Sequence, residues 1–165
     1  MSYRILSVAG LAALLGAAPA GRAEPAAGLP GLVGASERFQ HDAHTGLALA
    51  GFDPVSYHLP GGPRAGRAEH QLVWAGAAWR FAGAANRAAF AADPVSFAPQ
   101  IGGYDAEAAS RGRLVDADPT IFVVREGRLY VFRTEAARAG FLADPALAAR
   151  SHEGWRVLRE GLVGP

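Results

Sequence analysis

The sequence contains neither cysteine nor lysine. None of its 165 residues is Cys, and all 16 basic residues are Arg. The absence of thiols excludes disulfides, thiolate-bound copper or zinc, cysteine nucleophiles and iron–sulfur clusters. The absence of lysine excludes a Schiff-base lysine and a P-loop lysine. Carboxylate, imidazole, hydroxyl and aromatic side chains are therefore left to carry any chemistry.

The chain also lacks a strong charge of either sign. Sixteen basic residues face 15 acidic ones, which gives a formal net charge of +1. So small a charge does not attract nucleic acid or an anionic membrane surface. The length suits one domain. Half of the residues are hydrophobic, but many of these are Ala, so the core depends on the 8 Phe, 4 Tyr and 3 Trp together with Leu and Val.

The first 23 residues have the three-part pattern of a signal peptide. Arg4 supplies the positive start, "ILSVAGLAALLGAA" is the apolar run, and small residues at 18–20 or 21–23 offer a cleavage site near Ala20 or Ala23. The apolar run is shorter than the roughly 20 residues of a membrane span. We therefore predict export to the periplasm or beyond, with no stable membrane span after cleavage. An uncleaved anchor or a buried helix is the alternative.

The rest of the chain divides by composition into three parts. Residues 24–46 begin with a Gly-, Ala- and Pro-rich stretch and are interpreted as a flexible leader. Residues 47–150 form the predicted folded domain. Residues 151–165 form a C-terminal tail, in which "WRVLREGLVGP" is amphipathic. The tail either docks a partner protein or caps the core of its own domain.

An internal repeat lies within the domain. Residues 73–94 and 124–145 align without a gap and are identical at 10 of 22 positions. Each copy has a turn at Gly76 or Gly127 and a strand with alternating aromatic residues. A helix-period segment follows and ends at Asp-Pro. Each copy is thus predicted to form a β-hairpin and a helix, and two such units together to form one small α+β domain.

The dipeptide Asp-Pro occurs four times, at residues 53, 93, 118 and 144. Asp is a preferred helix N-cap, and Pro is favoured at the first helical position. Each pair is predicted to begin a short helix or turn rather than to serve in catalysis.

The stretch "FAPQIGGYDAEAASRG" at residues 97–112 joins the two repeat copies. We predict a bend at Gly102 and Gly103, a helix from Tyr104 to Arg111, and a C-terminal cap at Gly112. Two acidic residues in the first turn of that helix would repel a phosphate, although they suit the helix dipole.

Three segments resemble the YHS-domain family in its exported bacterial form. They are "ALAGFDPVSYH" (48–58), "WAGAAWRFAGAANRAAFAADPVSFAPQIGGYDAEAASRG" (74–112) and "DPTIFVVREGRLYVF" (118–132). The resemblance covers about residues 47–145. It implies a small α+β domain, often in a metal-related context, because relatives occur beside heavy-metal transport ATPases.

This sequence departs from the family at its cysteine positions. Ser56, Ala82, Asn86 and Asp105 stand where metal-handling or exported members carry Cys. A thiolate site for a soft metal cannot form here. The resemblance therefore implies the fold more strongly than it implies metal binding.

Histidines offer the remaining metal ligands. His41 and His44 flank Asp42 at a spacing that suits a divalent metal, although structural zinc usually takes four ligands. A solvated leader segment is the alternative. Trp74, Trp79, Tyr57 and Tyr104 either line a pocket or belong to the core.

The predicted functional centre is the junction of Asp53, Tyr57 and His58 with residues 102–105. We expect His58 to meet Tyr104 and Asp105 there, either as a site or as a hydrogen-bond network that orders the bend. As a site it is expected to bind a small ligand or a hard cation. The seven ligand-binding candidates are Asp53, Tyr57, His58, Gly102, Gly103, Tyr104 and Asp105.

The sequence as a whole predicts a non-enzymatic binding or accessory module, working with a small ligand or a periplasmic protein. Two alternatives stay open. One is a small enzyme that uses His58 and Asp105 as an acid–base pair. The other is a structural protein that docks a partner through an apolar face, with Trp155, Val157, Leu158 and Leu162 as its candidate contacts.

Overall fold

The protein is described by a computed structural model over residues 39–162. The predicted signal peptide and most of the leader lie outside these residues. The described chain has the predicted α+β architecture. Its elements are β1 (Arg67–Trp74), β2 (Ala77–Phe81), α1 (Ala84–Ala92), α2 (Pro94–Phe97), α3 (Ala106–Ala109), β3 (Asp118–Arg125), β4 (Arg128–Phe132), α4 (Glu135–Ala143) and α5 (Leu147–Leu162). Short 3₁₀ turns cover Leu49–Gly51, Ser56–His58 and Gln100–Gly103.

Two antiparallel hairpins confirm the predicted repeat. β1 pairs with β2, β3 pairs with β4, and each pair is joined by a two-residue turn. Both residues of each turn have positive φ, at Ala75 and Gly76 in the first hairpin and at Glu126 and Gly127 in the second. Such turns match the twist of the strands they join. The helix that follows each hairpin, α1 or α4, places its Phe in the core.

The repeat extends further toward the N-terminus than the aligned 22 residues. Leu49, Ala50 and Gly51 all have positive φ and lead into Phe52-Asp53. Ile101, Gly102 and Gly103 likewise all have positive φ and lead into Tyr104-Asp105. We call residues 47–94 the first module and residues 99–145 the second.

Strand β4 joins the two hydrophobic clusters of the domain. Leu129 and Val131 belong to the cluster around Trp79, Phe81 and Phe90. The alternate residues of the strand, Tyr130 and Phe132, belong to the cluster around Phe141 and Leu147. Because successive side chains of a strand point to opposite faces, β4 is buried on both sides and the modules share one interior.

Chain segments outside the predicted domain boundaries pack onto this interior. Ahead of residue 47, the Phe39 ring lies 5.2 Å from the rings of both Trp74 and Trp79. At the other end, α5 runs through the predicted boundary at residue 150. Its Trp155 and Leu158 pack on the second cluster, so the tail caps its own core, while Val157 is exposed. None of the described helices is long and apolar enough to span a membrane.

Two local predictions need correction. Asp118 and Pro119 begin strand β3 rather than a helix, and the Asp118 carboxylate accepts from the amide of Thr120. Pro is tolerated there because β3 is an edge strand. The helix predicted from Tyr104 to Arg111 is shorter: it begins after its N-cap, Asp105, and ends at Ala109. Asp93 caps α2 as predicted.

Candidate functional site

Asp53 is a buried carboxylate that ties the first module together. Its Oδ1 accepts from the amide of Val55 at 2.9 Å. Its Oδ2 accepts from the amide of Ala82, just after β2, at 2.9 Å and from the side-chain amide of Asn86 at 2.6 Å. The carboxylate thus links the start of the module to the end of its hairpin and to α1. The donors from residues 82 and 86 lie at two of the positions where the resemblance noted in the sequence implies cysteine.

Asp105 has the equivalent position in the second module. Its Oδ1 accepts from the amide of Ala108 at 2.6 Å, and its Oδ2 accepts from the amide of Arg133, just after β4, at 2.5 Å. The backbone of Asp105 also bridges that of Val131. The two carboxylates therefore have matching roles in separate hairpins, and each is occupied by hydrogen bonds that hold its own module.

Tyr57 and His58 follow Asp53 on a 3₁₀ turn. The Tyr57 hydroxyl donates to the carbonyl of Pro119 at 2.9 Å, and burial, with Asp118 and Asp53 nearby, raises its pKa. The His58 ring meets the Phe97 ring edge to face at 5.5 Å. Its Nε2 is buried and has no hydrogen-bond partner in the described chain. Burial lowers the pKa of His58, which favours the neutral ring.

The histidines near the start of the described chain serve local structure. His41 Nδ1 lies 2.9 Å from the carbonyl oxygen of Phe39. The Asp42 carboxylate accepts from the amides of His44 and Thr45 and from the Thr45 hydroxyl. Within residues 39–162, no three His, Asp or Glu side chains gather at one point in a way that suits a metal ion.

An open groove of about 720 Å³ lies beside α5. We call it the α5 groove. One wall is the face of α5 that carries His152, Trp155 and Arg159. Phe39, Trp74, Val95 and residues 98–102 also line the groove. The groove thus lies where the first module, the second module and α5 meet. Its main apolar lining is Phe39, Trp74, Val95, Ile101, Trp155 and Leu162.

The close packing of α5 fixes this wall. The Ser151 hydroxyl donates to the carbonyl of Ala106 at 2.5 Å. A Cβ at Gly154 would overlap the carbonyl oxygen of Ala109, so the helix backbones touch where glycine stands. These contacts turn Trp155 onto Tyr104, with ring centroids 5.8 Å apart.

The polar side chains that line the groove differ in whether they make hydrogen bonds or ion pairs with the rest of the described chain. His152 Nε2 lies 3.1 Å from the Tyr130 hydroxyl, and burial, with Arg128 nearby, lowers the pKa of this histidine. Glu160 is ion-paired with Arg156 at 3.3 Å. The Arg159 guanidinium and the Gln100 carboxamide make no hydrogen bond or ion pair with other described residues.

The α5 groove and the predicted junction are different places. Of the seven predicted ligand-binding residues, only Gly102 lines the groove. Trp74 was named as a pocket candidate and does line it, whereas Trp79 is fully buried and donates to the carbonyl of Trp74 at 3.0 Å. A ligand role for the seven residues stays a prediction.

Sequence reasoning missed His152, Arg159 and Ile101 as groove residues. The spacing of His152, Trp155 and Arg159 along a helix, at three and four residues, was the available signal. Comparisons with protein-family models, with curated proteins and with solved structures each give no match for this chain.

Proposed function

We propose that the protein is an exported, non-enzymatic binding module of YHS type that takes a small organic ligand in the α5 groove. The single observation that carries this proposal is the groove itself. Its volume of about 720 Å³ lies within the range of small-molecule sites. Its apolar and aromatic walls, with a few polar groups, have the composition that such sites usually have.

The state of the buried carboxylates favours binding over catalysis. A general base must reach the proton it removes and must be free to accept it. Asp53 accepts three hydrogen bonds and Asp105 accepts two, all from groups that hold the fold. His58 packs on Phe97, and the groups that approach Asp105 are backbone amides. An acid–base pair of His58 and Asp105 therefore gains no support from these contacts.

The same reasoning favours an organic ligand over a cation. Calcium takes six to eight oxygen ligands, and magnesium demands an octahedral set. The two carboxylates of the predicted junction, those of Asp53 and Asp105, already accept hydrogen bonds from amide groups. The α5 groove contains one carboxylate among its lining residues, that of Glu160. The location in the periplasm belongs to the proposal and is supported by the three-part pattern of the first 23 residues.

Blocking the mouth of the groove tests the proposal. Val95 lines the groove and is 71% exposed, so Val95→Trp is expected to fill the mouth without disturbing the core. Leu142→Trp is the matched control, because Leu142 on α4 is 52% exposed and lies outside the groove. Each protein is dialysed against a periplasmic extract of its own host, and bound molecules are detected by native mass spectrometry.

We expect one small molecule on the wild type and on Leu142→Trp, and none on Val95→Trp. A wild-type protein that takes up no molecule from the extract contradicts the proposal. A molecule that stays on Val95→Trp places the ligand elsewhere and contradicts the choice of groove.

A further inference from the structure

We infer that the α5 groove selects a planar aromatic molecule that carries one anionic group, such as an aromatic carboxylate. The inference rests on the proposed function, since it names the ligand class for the same groove. It rests on two observations: aromatic side chains line the groove, and so does the guanidinium of Arg159, which has no ion pair with other described residues.

Three aromatic rings belong to the apolar lining of the groove. Phe39 and Trp74 lie together, with their ring centroids 5.2 Å apart. Trp155 belongs to helix α5 and packs against Tyr104. Trp74 and Trp155 are only half-buried, so each leaves part of its ring in the groove. A flat aromatic ligand can meet these rings in stacked or edge-to-face contact, which adds to the gain from burial alone.

The second module has an arginine, Arg125, at the position where the first module has Trp74. Trp74 packs edge to face on Phe90, with centroids 5.6 Å apart. At the equivalent place in the second hairpin, the Arg125 guanidinium lies 4.5 Å from the centre of the Phe141 ring. Either side chain covers the Phe of its module, so packing alone does not require an indole. The indole at residue 74 gives the groove an aromatic wall.

The charges around the groove favour an anion. Arg156 is engaged by both Glu153 and Glu160. Arg159, one turn further along the same helix, lines the groove and has no ion pair within residues 39–162. Gln100, which also lines the groove, adds an amide donor. A guanidinium binds a carboxylate through two parallel N–H donors, and such charge-assisted bonds are among the stronger ones in proteins.

A cationic aromatic ligand is the competing possibility, because tryptophan rings also attract cations. Its counter-charge would have to be Glu160, the carboxylate that lines the groove. That carboxylate already lies 3.3 Å from Arg156. The unengaged charge is therefore positive, and the ligand it complements is negative.

Three probes with the same ring system separate these possibilities. Naphthoate, neutral naphthamide and cationic naphthyltrimethylammonium are titrated by calorimetry into the full chain and into Arg159→Gln. Arg159 is exposed and has no hydrogen bond or ion pair with other residues of 39–162, so its replacement is expected to leave the fold intact. Arg150→Gln is the matched control, since Arg150 lies on the same helix, is ion-paired with Asp144, and does not line the groove.

Naphthoate is expected to bind most tightly. Arg159→Gln is expected to weaken naphthoate by roughly tenfold to a hundredfold, the usual size of a charge-assisted hydrogen bond. The same change leaves naphthamide binding unaltered, and Arg150→Gln alters neither.

The contradicting results are distinct. Equal binding of naphthoate and naphthamide, unaffected by Arg159→Gln, overturns the anion assignment and leaves the groove as the site of a neutral ligand. Tighter binding of the ammonium probe overturns it in favour of a cation. If no probe binds while the wild type still takes a molecule from the extract, the aromatic class is wrong but the proposed function stands. If neither occurs, both fail.

Discussion

At the scale of single residues, two buried carboxylates hold the fold together. Asp53 accepts hydrogen bonds from residues 82 and 86, and Asp105 accepts one from residue 133. Buried charge is costly unless it is fully hydrogen-bonded. Each carboxylate meets this condition through donors of its own module: Asp53 accepts three hydrogen bonds and Asp105 accepts two.

Replacing Asp53 by Asn tests this role. The variant is expected to lose roughly 2–4 kcal/mol of unfolding free energy, because an amide group would face the donors of Ala82 and Asn86. Urea denaturation measures the change. Asp93→Asn is the control: Asp93 is an exposed N-cap of α2, and Asn caps a helix about as well as Asp. Equal losses in the two variants would contradict a special role for Asp53.

His58 predicts a dependence of stability on pH. Burial lowers its folded-state pKa below the unfolded value near 6.5, so protonation costs more in the folded protein. The stability present above about pH 6.5 is therefore lost as the pH falls toward the folded-state pKa. His152, whose pKa is also lowered by burial, contributes with the same sign.

We expect His58→Leu to keep more of its neutral-pH stability at pH values below about 6.5 than the wild type does. The measurement is the urea midpoint at a series of pH values above those at which carboxylates titrate. His44→Leu, on an exposed turn, serves as the reference and should follow the wild type. An identical pH profile for His58→Leu would rule out this histidine as a source of acid sensitivity.

At the scale of elements, helix α5 decides whether the groove exists. Gly154 allows it to touch the backbone of α3 at Ala109. Gly154→Ala is expected to cost about 1–3 kcal/mol through overpacking, despite the better helix propensity of Ala. The variant should also lose ligand binding, because the wall that carries Trp155 shifts. Thermal unfolding and native mass spectrometry measure the two effects.

Gly161→Ala on the same helix separates packing from propensity. A Cβ at Gly161 would meet no atom of another described element within 4 Å. This control should be neutral or slightly more stable, and should keep its ligand. If Gly154→Ala behaves in the same way, the close contact with α3 does not set the position of α5.

The elements differ in how far the sequence predicts them. The hairpins follow from alternating aromatics and from turns at Gly76 and Gly127, which are local signals. The match between Leu49–Gly51 and residues 101–103 was also readable, as "LAGFD" against "IGGYD", but short stretches with conservative changes escape a gap-free alignment. The prediction that Asp118-Pro119 begins a helix or turn was wrong, because the same dipeptide begins a strand or a helix according to its tertiary neighbours.

The groove was beyond prediction for a different reason. It depends on the contact of Gly154 with Ala109, far apart in sequence, and on which side of α5 then faces Trp74. No local pattern encodes that contact. The predicted junction is a different place, where each buried Asp accepts a hydrogen bond from the end of its own hairpin.

At the scale of the whole molecule, the two modules are expected to unfold as one unit. Strand β4 contributes Leu129 and Val131 to one cluster and Tyr130 and Phe132 to the other, so neither cluster can be exposed without disturbing this strand. A domain of this size with a shared core normally unfolds in a single transition. The duplication in sequence therefore does not produce two independently stable halves.

The three tryptophans report on both clusters at once. Trp79 lies in the first cluster with Trp74 packed against it, and Trp155 packs on the second. With 5-fluorotryptophan in place of all three, fluorine NMR is expected to show their folded signals disappearing at one urea concentration. A separate, lower midpoint for Trp155 would mean that α5 detaches before the hairpins unfold. The groove would then open and close on a stable domain, and ligand binding would raise the Trp155 midpoint alone, because a ligand stabilises only the state that binds it.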